Sequence, residues 1–205
     1  MKDNKYKEKV FKDIREALID KSDADTSANH AAVTSDNTGG EDLSVLFAER
    51  FTQAGGTLYY CGDESEIRSR IAEIQQHHGN VTIGCASDNL TGFINHLNIG
   101  NCCTCEPSKI YPLGAILCEA LIAWQGSVVI SSNLGLGTTT PALFENTIVL
   151  AFTSQVVKDW EAANERLKQL YPNYPDQIMV THPASLAYRK KQQRLFLILI
   201  EDEAN

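Results

Sequence analysis

The chain has 205 residues, of which 43% are hydrophobic and 21% charged, and this suits a single globular domain that buries a full core. Its formal net charge of −8 and its pI near 5.1 argue against nucleic-acid binding as the main activity. No apolar run approaches the ~20 residues that a bilayer-spanning helix needs, and residues 1–8 lack a signal-peptide core, so we expect a cytoplasmic protein with no membrane partner.

The N-terminal residues divide into an expected helix and an expected linker. Apolar residues at helical spacing predict an amphipathic helix over residues 4–20. Residues 21–41 contain almost no large apolar side chains, which predicts a polar linker. Such a segment buries too little apolar surface to offset the entropy lost on ordering. The helix must then dock on the remainder of the chain or serve a partner. Its apolar positions are Tyr6, Val10, Phe11, Ile14, Ala17 and Leu18.

From residue 42 onward, strand and helix patterns alternate, and we expect residues 42–205 to form one domain. Alternation of this kind predicts βαβ units and a largely parallel sheet with helices on both faces, which is a three-layer, Rossmann-like α/β fold. Strands are expected at residues 57–61, 81–85, 127–131, 147–152, 177–180 and 194–201, with a strand or a loop at 101–105. Helices are expected at residues 43–54, 63–78, 90–97, 113–124, 155–170 and 184–193.

A loop rich in glycine and hydroxyl groups, residues 131–141, follows one of the expected strands. Glycines let backbone N–H groups approach an anion closely, and hydroxyls add donors. The loop matches neither the P-loop nor the dinucleotide-binding glycine pattern. A ligand loop and a plain connection between two strands therefore both stay open. The ligand-binding hypothesis rests on Asn133, Gly135, Gly137, Thr138 and Thr139.

Glu119 lies in the middle of the apolar run 113–124. Either its carboxylate is desolvated and has a raised pKa, which suits catalysis, or a helical turn carries it to the surface. The surface position is the commoner case for acids on helices. Gln125, Gly126 and Ser127 follow at an expected helix-to-strand turn and offer hydrogen bonds to a ligand. Turn chemistry alone also explains Gly126.

Two further groups of residues carry weaker hypotheses. His182 and Ser185 precede a basic run and could hold a carboxylate or phosphate, although a solvated helix start explains them as well. Cys102, Cys103 and Cys105 lack the second ligand pair that zinc sites use, so we predict no metal. Without a secretory signal, all six cysteines are expected to be reduced.

Three segments, in order and spacing, resemble the LUD-domain family, the lactate-utilisation protein C group. Residues 46–58 look like the family's early helix ending in Gly-Gly, residues 120–130 like its central motif, and residues 147–157 like its later strand. The resemblance implies a fold like that of the sugar-isomerase and CoA-transferase superfamily. It also implies an accessory protein of lactate oxidation to pyruvate, with iron–sulfur oxidoreductase partners. From the loop after residue 131 we expect a small anionic ligand, and we predict no cofactor; a homo-oligomer stays open.

The chain departs from the family pattern at two places. Trp124 and Gln125 stand where the family has Glu-Thr, and residues 183–191 lack the acidic residues of the family's C-terminal motif. These departures indicate a divergent or a catalytically silent member. The alternative is an enzyme of the same superfamily that acts on an acyl or phosphorylated substrate with Glu119 as nucleophile or base.

Overall fold

The computed structural model describes residues 42–135, 142–187 and 193–202. Its central element is a six-stranded sheet in the order β1-β10-β7-β4-β2-β3, with every neighbouring pair parallel. These strands are β1 (Thr57–Cys61), β2 (Ile83–Cys85), β3 (Cys102–Thr104), β4 (Leu113–Leu117), β7 (Asn146–Phe152) and β10 (Arg194–Ile200).

A second sheet of four strands has the order β8-β5-β6-β9 and contains antiparallel pairs. Its strands are β5 (Ala120–Ile122), β6 (Ser127–Ser131), β8 (Val156–Val157) and β9 (Ile178–Thr181). The helices are α1 (Leu43–Gln53), α2 (Glu64–His77), α3 (Asp88–His96), α4 (Trp160–Leu170) and α5 (Pro183–Ala187). None of the helices in these described ranges is long and apolar enough to cross a membrane.

The apolar stripes of the helices decide how the layers stack. Ile67, Ile71 and Ile74 of α2 join α3 in a core against one face of the central sheet. Phe47 and Phe51 of α1 pack with the second sheet against the opposite face. α4 covers the outer face of the second sheet through residues such as Ala163 and Leu167. The predicted three-layer α/β fold with a mostly parallel central sheet is confirmed.

Side-chain caps fix where the longer helices begin. Asp63 accepts a hydrogen bond from the Glu66 amide at 2.9 Å, and Ser87 accepts one from the Leu90 amide at 3.3 Å. Asp42 and Asp159 cap α1 and α4 in the same manner. A capping side chain accepts a hydrogen bond from a backbone amide that has no partner within the helix. These four residues therefore fix the first residue of each helix.

The prediction of a helix over residues 113–124 is wrong. The run forms β4 and β5, which belong to different sheets and are joined by a bend at Cys118 and Glu119. Every residue of both strands is buried, so the apolar run has no polar face that would distinguish a strand from a helix. Gly114 also suits close strand packing, because a Cβ there would lie 2.1 Å from the Phe144 ring.

The expected helix over residues 155–170 is half right. Val156 and Val157 form strand β8 beside β5, and the helix begins only at Trp160, after the Asp159 cap. Of the expected helix 184–193, the structure describes a short helix, Pro183–Ala187. The remaining strands and helices of the prediction from residue 42 onward are confirmed within a few residues. The predicted helix 4–20 and linker 21–41 lie outside the described residues.

Candidate functional site

The central sheet changes its direction of winding between β2 and β4. These strands are neighbours, but β2 continues through α3 to β3 on one side, whereas β4 leads through the second sheet to β7 on the other side. In open α/β sheets, ligands bind outside the carboxyl ends of the strands at such a switch point. The carboxyl ends of β2 and β4, at Cys85 and Leu117, are therefore where a small molecule is expected.

The first residues of the loop after β6 are anchored over this switch point. The Ser132 amide donates to the Gln177 carbonyl at 2.9 Å, and Leu134 is buried in the core beside α3. Gly135 has φ +56°, and a Cβ there would lie 2.2 Å from the Ala86 carbonyl oxygen, directly after β2. The described part of the loop thus packs tightly against the β2–α3 turn. A flexible connection between two strands would not need this contact.

A buried carboxylate supports the loop from behind. Glu119, at the bend after β4, is only 3% exposed. The Ser131 hydroxyl donates a hydrogen bond to Glu119 Oε1 and accepts one from the Asn133 amide at 3.1 Å. The Tyr171 hydroxyl lies 3.0 Å and 3.1 Å from the two carboxylate oxygens. Glu119 therefore holds the end of β6 and the first turn of the loop in place. The alternative that a helical turn carries Glu119 to the surface, which is the commoner case for acids, is wrong.

The protonation of this cluster follows from its burial. Burial raises the pKa of the Glu119 carboxyl, and the hydrogen bonds from Ser131 and Tyr171, together with Arg166, offset part of the rise. Burial and the neighbouring Glu119 carboxylate also raise the pKa of the Tyr171 hydroxyl, so Tyr171 remains a donor at neutral pH. The cluster is a satisfied polar network in a water-poor environment.

Arg166 of α4 ties two chain bends together. Its Nε donates to the Glu119 carbonyl at 3.1 Å, and its Nη1 donates to the Ser154 carbonyl at 3.1 Å, in the turn after β7. Gln155 reinforces the connection, because its Nε2 donates to the Cys118 carbonyl at 2.6 Å. Burial lowers the pKa of Arg166 without removing its charge. The carboxyl ends of β4 and β7 are consequently held together by side chains.

The predicted binding residues separate into two groups at opposite ends of β6. Asn133 and Gly135 lie at the switch point, whereas Gln125, Gly126 and Ser127 lie at the β5–β6 turn and the start of the strand. Four residue steps along a strand span roughly 13 Å, so one small ligand does not contact both ends. Gln125 is exposed and Ser127 is buried.

Gly126 has a structural reason for its identity. It has φ +62°, and a Cβ would lie 2.5 Å from the Phe51 backbone nitrogen, so only glycine lets this turn pack on α1. Glycine at position 126 thus serves the turn, as the sequence indicates, and also allows the backbones of the turn and of α1 to approach closely. No local sequence pattern could reveal the second role.

His182 and Ser185 lie near the Gln125 end. β9 pairs antiparallel with β6 so that Thr181 lies opposite Val128, which places His182 beyond the start of β6. The Ser185 hydroxyl donates to the His182 carbonyl at 2.7 Å, an ordinary helix-start contact. Gly137, Thr138 and Thr139 lie outside the described residues. The structure therefore leaves His182 and Ser185 apart from the switch point.

The cysteines form no recognisable metal centre. All six are free, and Cys61, Cys85 and Cys118 lie in the core. Burial raises the pKa of Cys85 and of Cys105 to about 12, so both thiols are protonated at neutral pH. Within the described parts of the chain, no group of three or more His, Cys, Asp or Glu side chains is placed to hold a metal ion.

The first turn of α3 lies at the switch point and carries both a helix start and a carboxylate. Ser87 caps this nine-residue helix directly after β2, and a helix start presents backbone N–H groups and partial positive charge. Asp88 places a carboxylate in the same turn, and its Oδ1 accepts a hydrogen bond from the Thr104 hydroxyl at 2.6 Å. This combination suits weak binding of a small, singly charged anion.

Comparison with solved structures finds a similar fold. The chain resembles the crystal structure of a DUF162 family protein from Deinococcus radiodurans, with a TM-score of 0.57 and 13% sequence identity over 77% of this chain and 96% of that chain. DUF162 is the LUD-domain family. No family model and no curated protein matches the sequence. At this identity the likeness shows the fold, and the fold agrees with the one that the sequence motifs imply.

Proposed function

We propose that the protein is an accessory component of a lactate-utilisation system and binds a small carboxylate at the switch point between β2 and β4. The fold shared with a DUF162 family protein carries this proposal, because it extends over nearly the whole of that chain. The motif resemblance at residues 46–58, 120–130 and 147–157 is independent support, since it rests on the amino-acid sequence alone.

The charges at the switch point support the ligand class. Lactate and pyruvate are small and carry one negative charge, which suits a helix start whose positive end is partly offset by Asp88. Asn133 and Gly135 belong to the loop that packs against the β2–α3 turn and would border the ligand from that side. Binding there would be weak, since a single helix start and a few hydrogen bonds supply about 4 kcal/mol, a millimolar Kd.

Titration of the isotope-labelled protein with lactate and pyruvate tests the ligand. We expect saturable amide shifts concentrated at residues 86–89 and 131–135, and we expect Asp88→Asn to tighten binding by about threefold to tenfold because a nearby like charge is removed. Glu64→Gln is the matched control, because Glu64 holds the same first position in α2. Shifts that are linear with concentration, or confined to other residues, would refute carboxylate binding at this site.

The partner is tested separately. By resemblance, the partners are iron–sulfur oxidoreductase subunits, and co-expression with those encoded beside this chain should give a complex that survives size-exclusion chromatography. The same complex should oxidise lactate to pyruvate faster than the partner subunits alone. Neither a complex nor a rate effect with any of them would overturn the accessory role, whatever the outcome of the ligand titration.

The alternative, an enzyme of the CoA-transferase or sugar-phosphate isomerase type, ranks second. It needs Glu119 to reach a substrate, and this carboxylate is 3% exposed with Ser131 and Tyr171 occupying its oxygens. Turnover of an acyl-CoA or a sugar phosphate that disappears in Glu119→Gln, while ligand binding persists, would reverse this ranking.

A further inference from the structure

The solvent-facing side of α1 and the β5–β6 turn enclose a groove of about 470 Å³, lined by Leu46, Glu49, Arg50 and Trp124. Val45, on the same side of α1, is 55% exposed. Trp124 is also 55% exposed, although tryptophan usually contributes a large apolar surface to a core or an interface. The groove therefore leaves apolar surface uncovered among the described residues.

The groove is a built feature of the fold. Because Gly126 lacks a side chain, the β5–β6 turn lies against the backbone of Arg50 and Phe51 and brings Trp124 beside α1. The Lys158 ammonium lies 4.7 Å from the centroid of the Trp124 ring, and the Trp124 amide donates to the Lys158 carbonyl at 3.2 Å. These contacts fix the indole in position and leave about half of it exposed.

We propose that residues 4–20 of the same chain occupy this groove as an amphipathic helix, with Phe11 and Ile14 directed at Trp124. The sequence predicts a helix with one apolar stripe there, and such a stripe needs a partner surface. A helix over these residues is roughly 25 Å long, enough to cross the groove and cover Val45 as well.

The position of the groove favours this occupant. The described chain begins at Asp42, the N-cap of α1, so the linker 21–41 enters the fold within two helical turns of Leu46, Glu49 and Arg50. A flexible linker of this length spans roughly 25 Å, which reaches the groove and gives a tethered segment an effective concentration near the millimolar range. A free partner at cellular concentration has no such advantage.

The charges of the two surfaces are also compatible. The charged side chains of Glu49 and Arg50 share the lining of the groove with the apolar side chains of Leu46 and Trp124. The predicted helix carries both signs next to its stripe, including Lys7 and Arg15 with Glu8 and Asp13. Opposite charges can therefore pair at the rim while the stripe covers the indole, and the rim pairs add little energy of their own.

Fluorescence of Trp124 in the full chain tests the proposal. Trp160→Phe leaves Trp124 as the sole tryptophan of the chain. In that background we expect acrylamide to quench Trp124 weakly, and Phe11→Ser/Ile14→Ser to raise the quenching constant severalfold by releasing the helix. The matched control, Lys12→Ser/Glu16→Ser, changes the same segment on its polar side and should leave quenching unchanged.

Hydrogen exchange of the amides of residues 4–20 tests the same contact from the side of the proposed helix. The amides of residues 4–20 should exchange slowly in the wild-type chain and fast in Trp124→Ser. Strong quenching of Trp124 in the parent, or fast exchange of residues 4–20 in both proteins, would overturn the proposal. So would protection that appears only as the protein dimerises, measured by light scattering over a concentration series, because the occupant would then be a second copy.

Discussion

The Tyr171 hydroxyl lies within hydrogen-bond distance of both carboxylate oxygens of Glu119, at 3.0 Å and 3.1 Å. Tyr171 follows the last turn of α4, and Glu119 lies where the chain leaves the central sheet, so the contact joins the outermost helix to the bend between the two sheets. The same carboxylate holds Ser131. One buried acid thus positions three segments that are distant in the sequence.

Glu119→Gln should change how stability depends on pH. Burial raises the pKa of Glu119 in the folded state, so folding favours the protonated form. That stabilisation is fully present below the unfolded pKa of about 4.3 and is lost as pH rises through the higher folded pKa. Glutamine is always neutral and has the same shape. The unfolding free energy of the variant minus that of the wild type, both measured by urea denaturation, should therefore increase from pH 4 to pH 8.

Glu73→Gln is the control for this comparison. Glu73 is an exposed partner of Arg70, so its loss changes the formal charge equally without touching a buried carboxyl. If the difference in unfolding free energy between Glu119→Gln and the wild type is the same at every pH, Glu119 is ionised normally and the argument from burial is wrong.

Tyr171→Phe should destabilise the fold. The variant removes one hydroxyl and leaves a buried carboxylate short of a donor, which costs about 1–3 kcal/mol. Tyr174→Phe, at an exposed hydroxyl that contacts Asn164, should cost much less. Urea denaturation of both variants gives the comparison, and equal losses would mean that Tyr171 contributes nothing specific to the cluster.

The sequence predicts every strand of the central sheet except β4, with a loop as the alternative for β3. These strands are predictable because they are short runs rich in apolar and aromatic residues and are separated by helices or turns. Thr57–Cys61, Asn146–Phe152 and Arg194–Ile200 carry this signal clearly. β4 and β5 escape prediction, because they merge into one buried apolar run with no alternation, whereas β6 and β9 of the second sheet are predicted. β8 escapes because Val156 and Val157 continue the apolar spacing of α4 across the Asp159 cap.

The site is less predictable than the fold. Glu119 and the loop after β6 are visible as local anomalies, a carboxylate in an apolar run and a cluster of glycines. Tyr171 and Arg166 are not, since nothing near them in the sequence signals contact with Glu119, some fifty residues away. The separation of Gln125 from Asn133 follows from β6 being extended, so residues near in sequence lie far apart in space.

Gly126→Ala should be strongly destabilising. Alanine would have to adopt a positive φ, and its Cβ would overlap the backbone of α1, a loss of about 1–3 kcal/mol or more. Gly92→Ala is the matched control, because this helical glycine of α3 has open space around it and alanine there should stabilise by about 0.5–1 kcal/mol. Denaturant titration measures both. An unaffected Gly126→Ala protein would contradict the close packing of the β5–β6 turn on α1.

His78→Phe should make the protein less sensitive to acid. His78 ends α2 with its ring edge-on to Phe196, and its buried Nε2 has no hydrogen-bond partner among the described residues. Burial lowers its folded pKa, with His77 and Arg194 adding to the effect, so the stabilisation is present above the unfolded pKa of about 6.5 and is lost as pH falls through the folded value. Phenylalanine keeps the ring contact and cannot be protonated. The melting temperature of the variant should therefore fall less than that of the wild type between pH 7 and pH 5. Identical slopes for the two proteins would show that His78 is not protonated on unfolding.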